Sequence, residues 1–210
     1  MTAELMLKSV RNYLSNFGSV DERIINVMKK FDRKYFVPEI MRAFAYEDEP
    51  LNIGYGQTIS QPSTVARMIS LLELKAGDSV LEIGTGSGWN ASLISYLIGE
   101  KGKVLSLEID KNLIKNAKQA IGNFKIKNIK IKSKDFRKIN EKFDKIVFTA
   151  GIERGREVVI DGFAYKSLNE NGILICPYRV GPLIIDKKLN DKIEKSSTRE
   201  EYVFVPLILR

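Results

Sequence analysis

The stretch Val80-Leu-Glu-Ile-Gly-Thr-Gly-Ser-Gly88 constrains this chain more than any other. An apolar run with strand character enters a turn that carries glycine at alternate positions, and a helical pattern follows. Glycine lets the backbone turn tightly and admits a ligand where a Cβ would collide. The helix that follows offers unpaired N–H groups to polar or anionic atoms. A nucleoside cofactor site is therefore expected at Gly84, Thr85, Gly86, Ser87 and Gly88. The spacing is G-x-G-x-G, not the dinucleotide G-x-G-x-x-G, and a glycine turn alone identifies a ligand class only weakly.

The surrounding pattern sets the fold. Thr64 to Leu72 reads as a helix, Ser79 to Ile83 as a buried strand, Trp89 to Ile98 as a helix and Lys103 to Ile109 as a strand. A helix over Lys111 to Phe124 and strands at Ile129 to Ser133, Lys145 to Thr149 and Gly172 to Cys176 continue the alternation. Alternation at this spacing gives right-handed βαβ units and a mostly parallel, doubly wound Rossmann-like sheet, covered by helices on both faces. Two last strands, Leu183 to Asp186 and Tyr202 to Leu209, have no helix between them and are expected to pair antiparallel at one edge. Before this α/β region, Leu5, Val10 and Leu14 form one helical stripe and Ile24 to Phe31 a second, with Ser19 and Glu22 spaced as a capping box. Tyr35 to Ser63 is broken by Pro38, Pro50, Gly54, Gly56 and Pro62 and is expected to be mostly loop. The division read from this pattern is an N-terminal segment, 1–62, packed on a cofactor-binding domain, 63–210.

Composition narrows the chemistry. The chain of 210 residues contains no histidine and one cysteine. Histidine-based dyads and most zinc sites are therefore excluded, no metal site is expected, and Cys176 in an apolar run reads as a buried structural thiol. No apolar run approaches the roughly 20 residues that span a bilayer, and the N-terminus lacks a signal-peptide pattern. A cytoplasmic protein without membrane association is expected. The net charge of +8 would favour an anionic partner. Most lysines, however, alternate with apolar residues, as in Lys125 to Lys132, and read as a solvated face.

Three acids sharpen the cofactor. Glu82 precedes the first glycine by two positions, where a Rossmann-like methyltransferase keeps an acid near the amino-acid end of its cofactor. Glu108, with Ile109 beside it at the end of the next strand, is placed to accept from both ribose hydroxyls. Asp135 after the third strand could accept from an adenine amino group, with Phe136 as a stacking face. Each taken singly is also read as an exposed acid at a strand end. Together they favour S-adenosylmethionine over a nicotinamide cofactor.

Asp32-Arg-Lys-Tyr-Phe-Val-Pro38, Ala45-Tyr-Glu-Asp48 with Pro50-Leu51, and Ile53-Gly-Tyr-Gly-Gln-Thr-Ile-Ser-Gln-Pro62 follow one another in the chain. The glycine turn through Trp89, Thr149-Ala150 and Phe204-Val-Pro-Leu207 come after them. In these segments the sequence resembles the protein-L-isoaspartate O-methyltransferase family over nearly its whole length. The resemblance implies a class I methyltransferase fold. It implies methyl transfer from S-adenosylmethionine to the free α-carboxylate of L-isoaspartyl residues, the first step of repairing damaged proteins and peptides. It also implies that Ser60 contacts the substrate carboxylate with help from Thr58, that Ile53, Gly54, Gly56, Gln57 and Ile59 shape the substrate side, and that Thr149 borders the cofactor. The competing reading of Ser60 and Thr58 is turn chemistry, with their hydroxyls capping the helix after Pro62.

The chain departs from the family's usual residues at Ser63-Thr64, at Trp89, at Gly151-Ile-Glu-Arg-Gly-Arg156 and at Tyr178-Arg179. These departures keep two other functions open. One is an RNA methyltransferase, suggested by the basic charge and Arg154-Gly-Arg156. The other is a cofactor-binding homologue without activity.

Overall fold

A computed structural model describes residues 1–208, so the end of the expected strand at Leu209 lies outside the described residues. In chain order the helices are α1 (Ala3–Ser15), α2 (Glu22–Lys30), α3 (Pro62–Leu72), α4 (Trp89–Ile98), α5 (Lys111–Gly122) and α6 (Glu157–Ser167). The strands are β1 (Leu51–Gly54), β2 (Gln57–Ile59), β3 (Ser79–Ile83), β4 (Lys103–Leu107), β5 (Ile129–Lys132) and β6 (Phe143–Phe148). They continue with β7 (Leu168–Pro177), β8 (Val180–Gly181), β9 (Leu183–Leu189), β10 (Lys192–Ser197) and β11 (Tyr202–Val203).

Seven of these strands form one sheet in the order β10-β9-β7-β6-β3-β4-β5. The five from β7 to β5 run parallel, and β9 and β10 are antiparallel additions at one edge. Side chains alternate between the two faces of a strand, and the core divides accordingly. Val80, Val104, Val147 and Ile173 join α1 to α5 in one apolar cluster. Leu81, Leu105, Ile146 and Leu174 belong to a second cluster with Ile160, Phe163 and Ala164 of α6. Because both faces are covered, these strands read as continuous apolar runs.

The N-terminal helices share the first cluster. Met6, Val10 and Leu14 of α1 and Ile24, Val27 and Met28 of α2 are all buried; each such side chain contributes about 1.5–3 kcal/mol relative to exposure. The expected capping box is not what starts α2: Asp21 is the cap, its carboxylate accepting from the Arg23 N–H at 3.0 Å.

The antiparallel pairing also differs from expectation. Leu183 to Asp186 pairs antiparallel with β7 on one side and, from Ile184 onward, with β10 on the other; β10 is reached through Asn190 and Asp191, both at positive φ (50° and 56°), as a two-residue type I′ hairpin turn requires. Tyr202-Val203 instead pairs with Val180-Gly181 in a separate two-stranded ribbon.

Candidate active site

Strand order reverses beside β3, which has β4 on one side and β6 on the other. Ligands in open α/β sheets bind in the crevice at such a switch point, outside the carboxyl ends of the strands. Gly84 leaves β3 and Thr149 leaves β6, and they meet there. The Thr149 hydroxyl donates to the carbonyls of Gly84 (2.5 Å) and Ile83 (3.1 Å).

The three glycines of the turn answer to different constraints. Gly84 has φ +102°, and a Cβ there would lie 2.2 Å from Thr149 Oγ1. Gly86 has φ +52° and faces Ile53, whose Cδ1 would be 3.7 Å from a Cβ. Gly88 heads α4 and packs on α5: a Cβ would stand 2.9 Å from Ile121 Cδ1 and 3.2 Å from Ala117. Between them, Thr85 Oγ1 bonds Ser106 Oγ at 2.5 Å and Ser87 Oγ accepts from the Trp89 N–H at 3.2 Å. Residues that leave so little room at Gly84 and open outward at Gly86 fit a cofactor laid across the turn.

Glu82 is fully buried, behind the residues that line the cavities at the turn. Its carboxylate accepts from Ser106 Oγ and from Asn90 Nδ2 at 2.9 Å. Loss of water and, to a smaller extent, the nearby Glu108 push this carboxyl up to about 7, against its two hydrogen bonds. Glu82 therefore acts beneath the turn, holding Asn90, which does line the cavity along Gly84 to Ser87. Neither Asn90 nor Ser106 was singled out from the sequence; Asn90 follows Trp89 directly, one turn below the glycines.

Glu108 braces the turn from the neighbouring strand. Oε2 accepts from the Gly86 N–H (3.0 Å) and Oε1 from those of Ile109 (2.7 Å) and Asp110 (3.1 Å). Three donors occupy most of the roughly four acceptor sites of a carboxylate. The same side chain lines the nucleoside-end cavity with Ile109, Asp110 and Asp135.

Asp135 and Phe136 are placed differently from the sequence reading. The Asp135 carboxylate is engaged by Arg137, through Nε at 3.0 Å and the backbone N–H at 2.9 Å; this pairing holds it below its ordinary carboxylate value. Phe136 is 3% exposed and its ring meets Phe148 and Phe163 edge-on, with centroids 5.0 and 4.9 Å away. It lines the nucleoside-end cavity from the core.

The segment expected to be loop contains the hairpin β1–β2. Gly54 (φ +90°) and Gly56 (φ +69°) flank Tyr55 (φ +56°) at its tip, and a Cβ on either glycine would meet nothing within 4 Å. Their glycine character follows from the turn and not from a crowded approach. Gln57 lies on the nucleoside-end cavity, Ile53 on a side cavity with Gly86 and Ser87, and Ile59 on the cavity along the glycine turn.

Thr58 and Ser60 occupy a junction. Both line the glycine-turn cavity with Thr149, and both line an outer pocket whose far bank is Tyr202 to Val205. Neither hydroxyl caps α3. The cap residue Gln61 makes no side-chain cap bond, and the Ser63 N–H is instead taken by Asp48 Oδ1 at 2.8 Å. Gly84 in turn lines both the nucleoside-end and glycine-turn cavities. A connected trough thus runs from Glu108 past Gly84 to Ser60 and outward.

Two further contributors carry no local sequence signal of their role. The buried Arg33 guanidinium donates to the carbonyls of Ala45 (2.9 Å), Glu47 (3.1 Å), Glu49 (2.8 Å) and Ser60 (3.1 Å), fixing the backbone of the junction. The C-terminal segment supplies Pro206, Leu207 and Ile208 to the nucleoside-end cavity, although the pattern Phe204-Val-Pro-Leu207 marked only the resemblance.

The sequence profile of the protein-L-isoaspartate(D-aspartate) O-methyltransferase (PCMT) family matches residues 5–210. A Thermosipho melanesiensis protein-L-isoaspartate O-methyltransferase is 40% identical over 204 residues, covering 93% of this chain and 98% of its own. One from Fervidobacterium nodosum is 43% identical over 168 residues, 79% of this chain and 81% of its own. Among solved structures, a Plasmodium falciparum protein-L-isoaspartate O-methyltransferase in complex with S-adenosyl-L-homocysteine superposes with a TM-score of 0.77 at 28% identity. That match covers 96% of this chain and 97% of the other. With the family profile matched over residues 5–210 and a relative at 40% identity covered almost from end to end, this chain belongs to the protein-L-isoaspartate(D-aspartate) O-methyltransferase family.

Proposed function

We infer that this protein methylates the α-carboxylate of L-isoaspartyl residues in damaged proteins, with S-adenosylmethionine as donor. The observation that carries the reading is the junction at Thr58 and Ser60, two hydroxyl-bearing residues that line both the glycine-turn cavity and the outer pocket. When bound, S-adenosylmethionine would supply a methyl group on a cationic sulfur; attack by a substrate carboxylate oxygen on that carbon would form the methyl ester and release S-adenosylhomocysteine as the leaving thioether.

The chain's own task is to bind and orient. A carboxylate with a pKa of about 3–4 is ionised at neutral pH, so no general base is required and the lack of histidine is no obstacle. Alignment of two reactants is itself worth several kcal/mol. We assign Glu108 and Ile109 to the ribose end. Gly84 to Gly88, Thr149 and, through Asn90, Glu82 hold the amino-acid end. Ser60 and Thr58 donate to the substrate carboxylate. Asp135, held by Arg137, is better placed to shape the nucleoside end than to bond adenine. Gly54, Gly56 and Ile53 set the hairpin that delivers the junction.

No helix among the described residues is long and apolar enough to cross a membrane. The lone buried Cys176 makes no disulfide, in keeping with the reducing cytoplasm we propose as its setting. The assay is incubation with labelled S-adenosylmethionine and an isoaspartyl peptide, its aspartyl twin, or transfer RNA. Base-labile label on the isoaspartyl peptide alone is expected. Label on RNA alone overturns the reading, and cofactor binding with no acceptor favours an inactive homologue.

A further inference from the structure

The segments 151–156 and 178–179, which the family resemblance leaves unexplained, meet on one wall of the outer trough. The Ile152 N–H donates to Pro177 O (2.9 Å) and the Arg179 N–H to Ile152 O (2.8 Å). Gly151 is bonded on its other side to Val205 and Leu207, each at 2.8 Å. It lies so close to the opposing chain that a Cβ would be 2.6 Å from the Arg179 backbone. The backbone leading into this wall is pinned from two sides.

Arg154 projects from it. Its guanidinium lies over the Tyr178 ring, 4.9 Å from the centroid, and against Gly181, where a Cβ would stand 3.0 Å from Nη2. A cation–π contact of this kind restrains a guanidinium whose fork matches a carboxylate. The two carboxylates nearest in sequence are engaged: Glu153 accepts from Arg179 Nη1 at 3.0 Å, and Glu157 accepts from the Tyr178 hydroxyl at 2.7 Å. Among the described residues, no carboxylate stands within ion-pair distance of Arg154, and Glu157 attracts it only at longer range. Arg154 thus lines an open groove with Thr58, Val180 and Val203, and Thr58 also borders the junction at Ser60.

We propose that Arg154 is a specificity residue, receiving the carboxylate of an Asp or Glu that flanks the isoaspartyl residue in the substrate. The proposal rests on the isoaspartyl reading above. With the isoaspartyl carboxylate at Ser60, the preceding residue lies one Cα step of about 3.8 Å away, and the following one lies a bond further because the chain there continues through the β-carbon. A long acidic side chain then extends along the groove past Thr58. Arg179 adds positive charge but is balanced by Glu153, so the preference depends on Arg154.

The test compares three isoaspartyl peptides that differ only in the flanking residue, Glu, Gln or Lys, placed on either side in turn. Wild-type enzyme is expected to favour Glu over Gln by about fivefold in kcat/KM, the size of an exposed charge pair. Lys should be poorer still, and the preference should shrink as salt is raised. In Arg154→Gln the Glu:Gln ratio should fall to about one, with Arg154→Lys between, while S-adenosylhomocysteine affinity reports that the variants are folded. Equal use of the Glu and Gln peptides by wild-type enzyme overturns the subsite and leaves the isoaspartyl activity standing. A ratio unchanged in Arg154→Gln overturns the role of Arg154. Failure of wild-type enzyme to turn over any isoaspartyl peptide overturns the functional reading and this inference together.

Discussion

Replacing Gly84 by Ala tests the geometry at the centre of the site. At φ +102° a residue with a side chain is strained by about 1–3 kcal/mol. Its Cβ would lie 2.2 Å from Thr149 Oγ1, so that hydroxyl must leave and give up its bonds to the Gly84 and Ile83 carbonyls. The single hydroxyl proton is shared between those two carbonyls, so that loss is about 1 kcal/mol. A total near 3 kcal/mol corresponds to a drop in Tm of roughly 6–12 °C for a chain of this size. Thr149→Ala removes the obstructing oxygen, after which the nearest side-chain atom, Thr149 Cβ at 3.6 Å, is in ordinary contact. The double variant should therefore recover part of the loss. A favourable coupling of roughly 1–2 kcal/mol is expected in a double-mutant cycle followed by urea denaturation at constant m. Additivity within about 0.5 kcal/mol, or a cost below about 1 kcal/mol for Gly84→Ala, would refute the argument.

Glu82 gives a pH signature. Its folded value of about 7 lies above the ordinary 4.5, so the folded state retains a proton the unfolded state has lost, and stability falls as pH rises from about 4.5 to about 7. The upper bound is about 3 kcal/mol. Glu82→Gln should flatten this part of the denaturant midpoint–pH curve, and a slope equal to wild type would contradict it. Arg33→Lys keeps the charge but loses the fork that serves four carbonyls. It should cost about 2–4 kcal/mol and lower kcat by displacing Ser60, as steady-state kinetics and thermal melts would show; unchanged values of both would remove the bracing role. Ser60→Ala should lower turnover of isoaspartyl peptides while calorimetric S-adenosylhomocysteine affinity stays at the wild-type value. Unchanged turnover would return Ser60 to a turn residue.

The parallel sheet was legible because buried strands and amphipathic helices alternate without interruption from β3 to α5. Helix α6 carries the right stripe, Ile160, Phe163, Ala164 and Ser167, all buried. Exposed Val158, Val159 and Tyr165 and an internal Gly162 hide that periodicity. Strand β10 is mostly exposed and too polar to register as a strand; the Asn190-Asp191 turn was the readable signal for it. Within the site, the glycine turn and Glu108 stand out because a ligand-facing turn needs unusual backbone and a strand-end acid needs a partner. Arg33, Asn90 and the 202–208 bank act through contacts between residues far apart in the chain, which no local pattern records. The buried position of Glu82 and the pairing of Asp135 with Arg137 are likewise properties of packing.

The most direct test of the account is repair itself: chromatographic conversion of an isoaspartyl peptide into its aspartyl twin over time. The twin, with a transient succinimide, is expected only when S-adenosylmethionine is supplied, and much more slowly with Ser60→Ala. Undiminished isoaspartyl peptide in the presence of folded, cofactor-binding wild-type enzyme would contradict it.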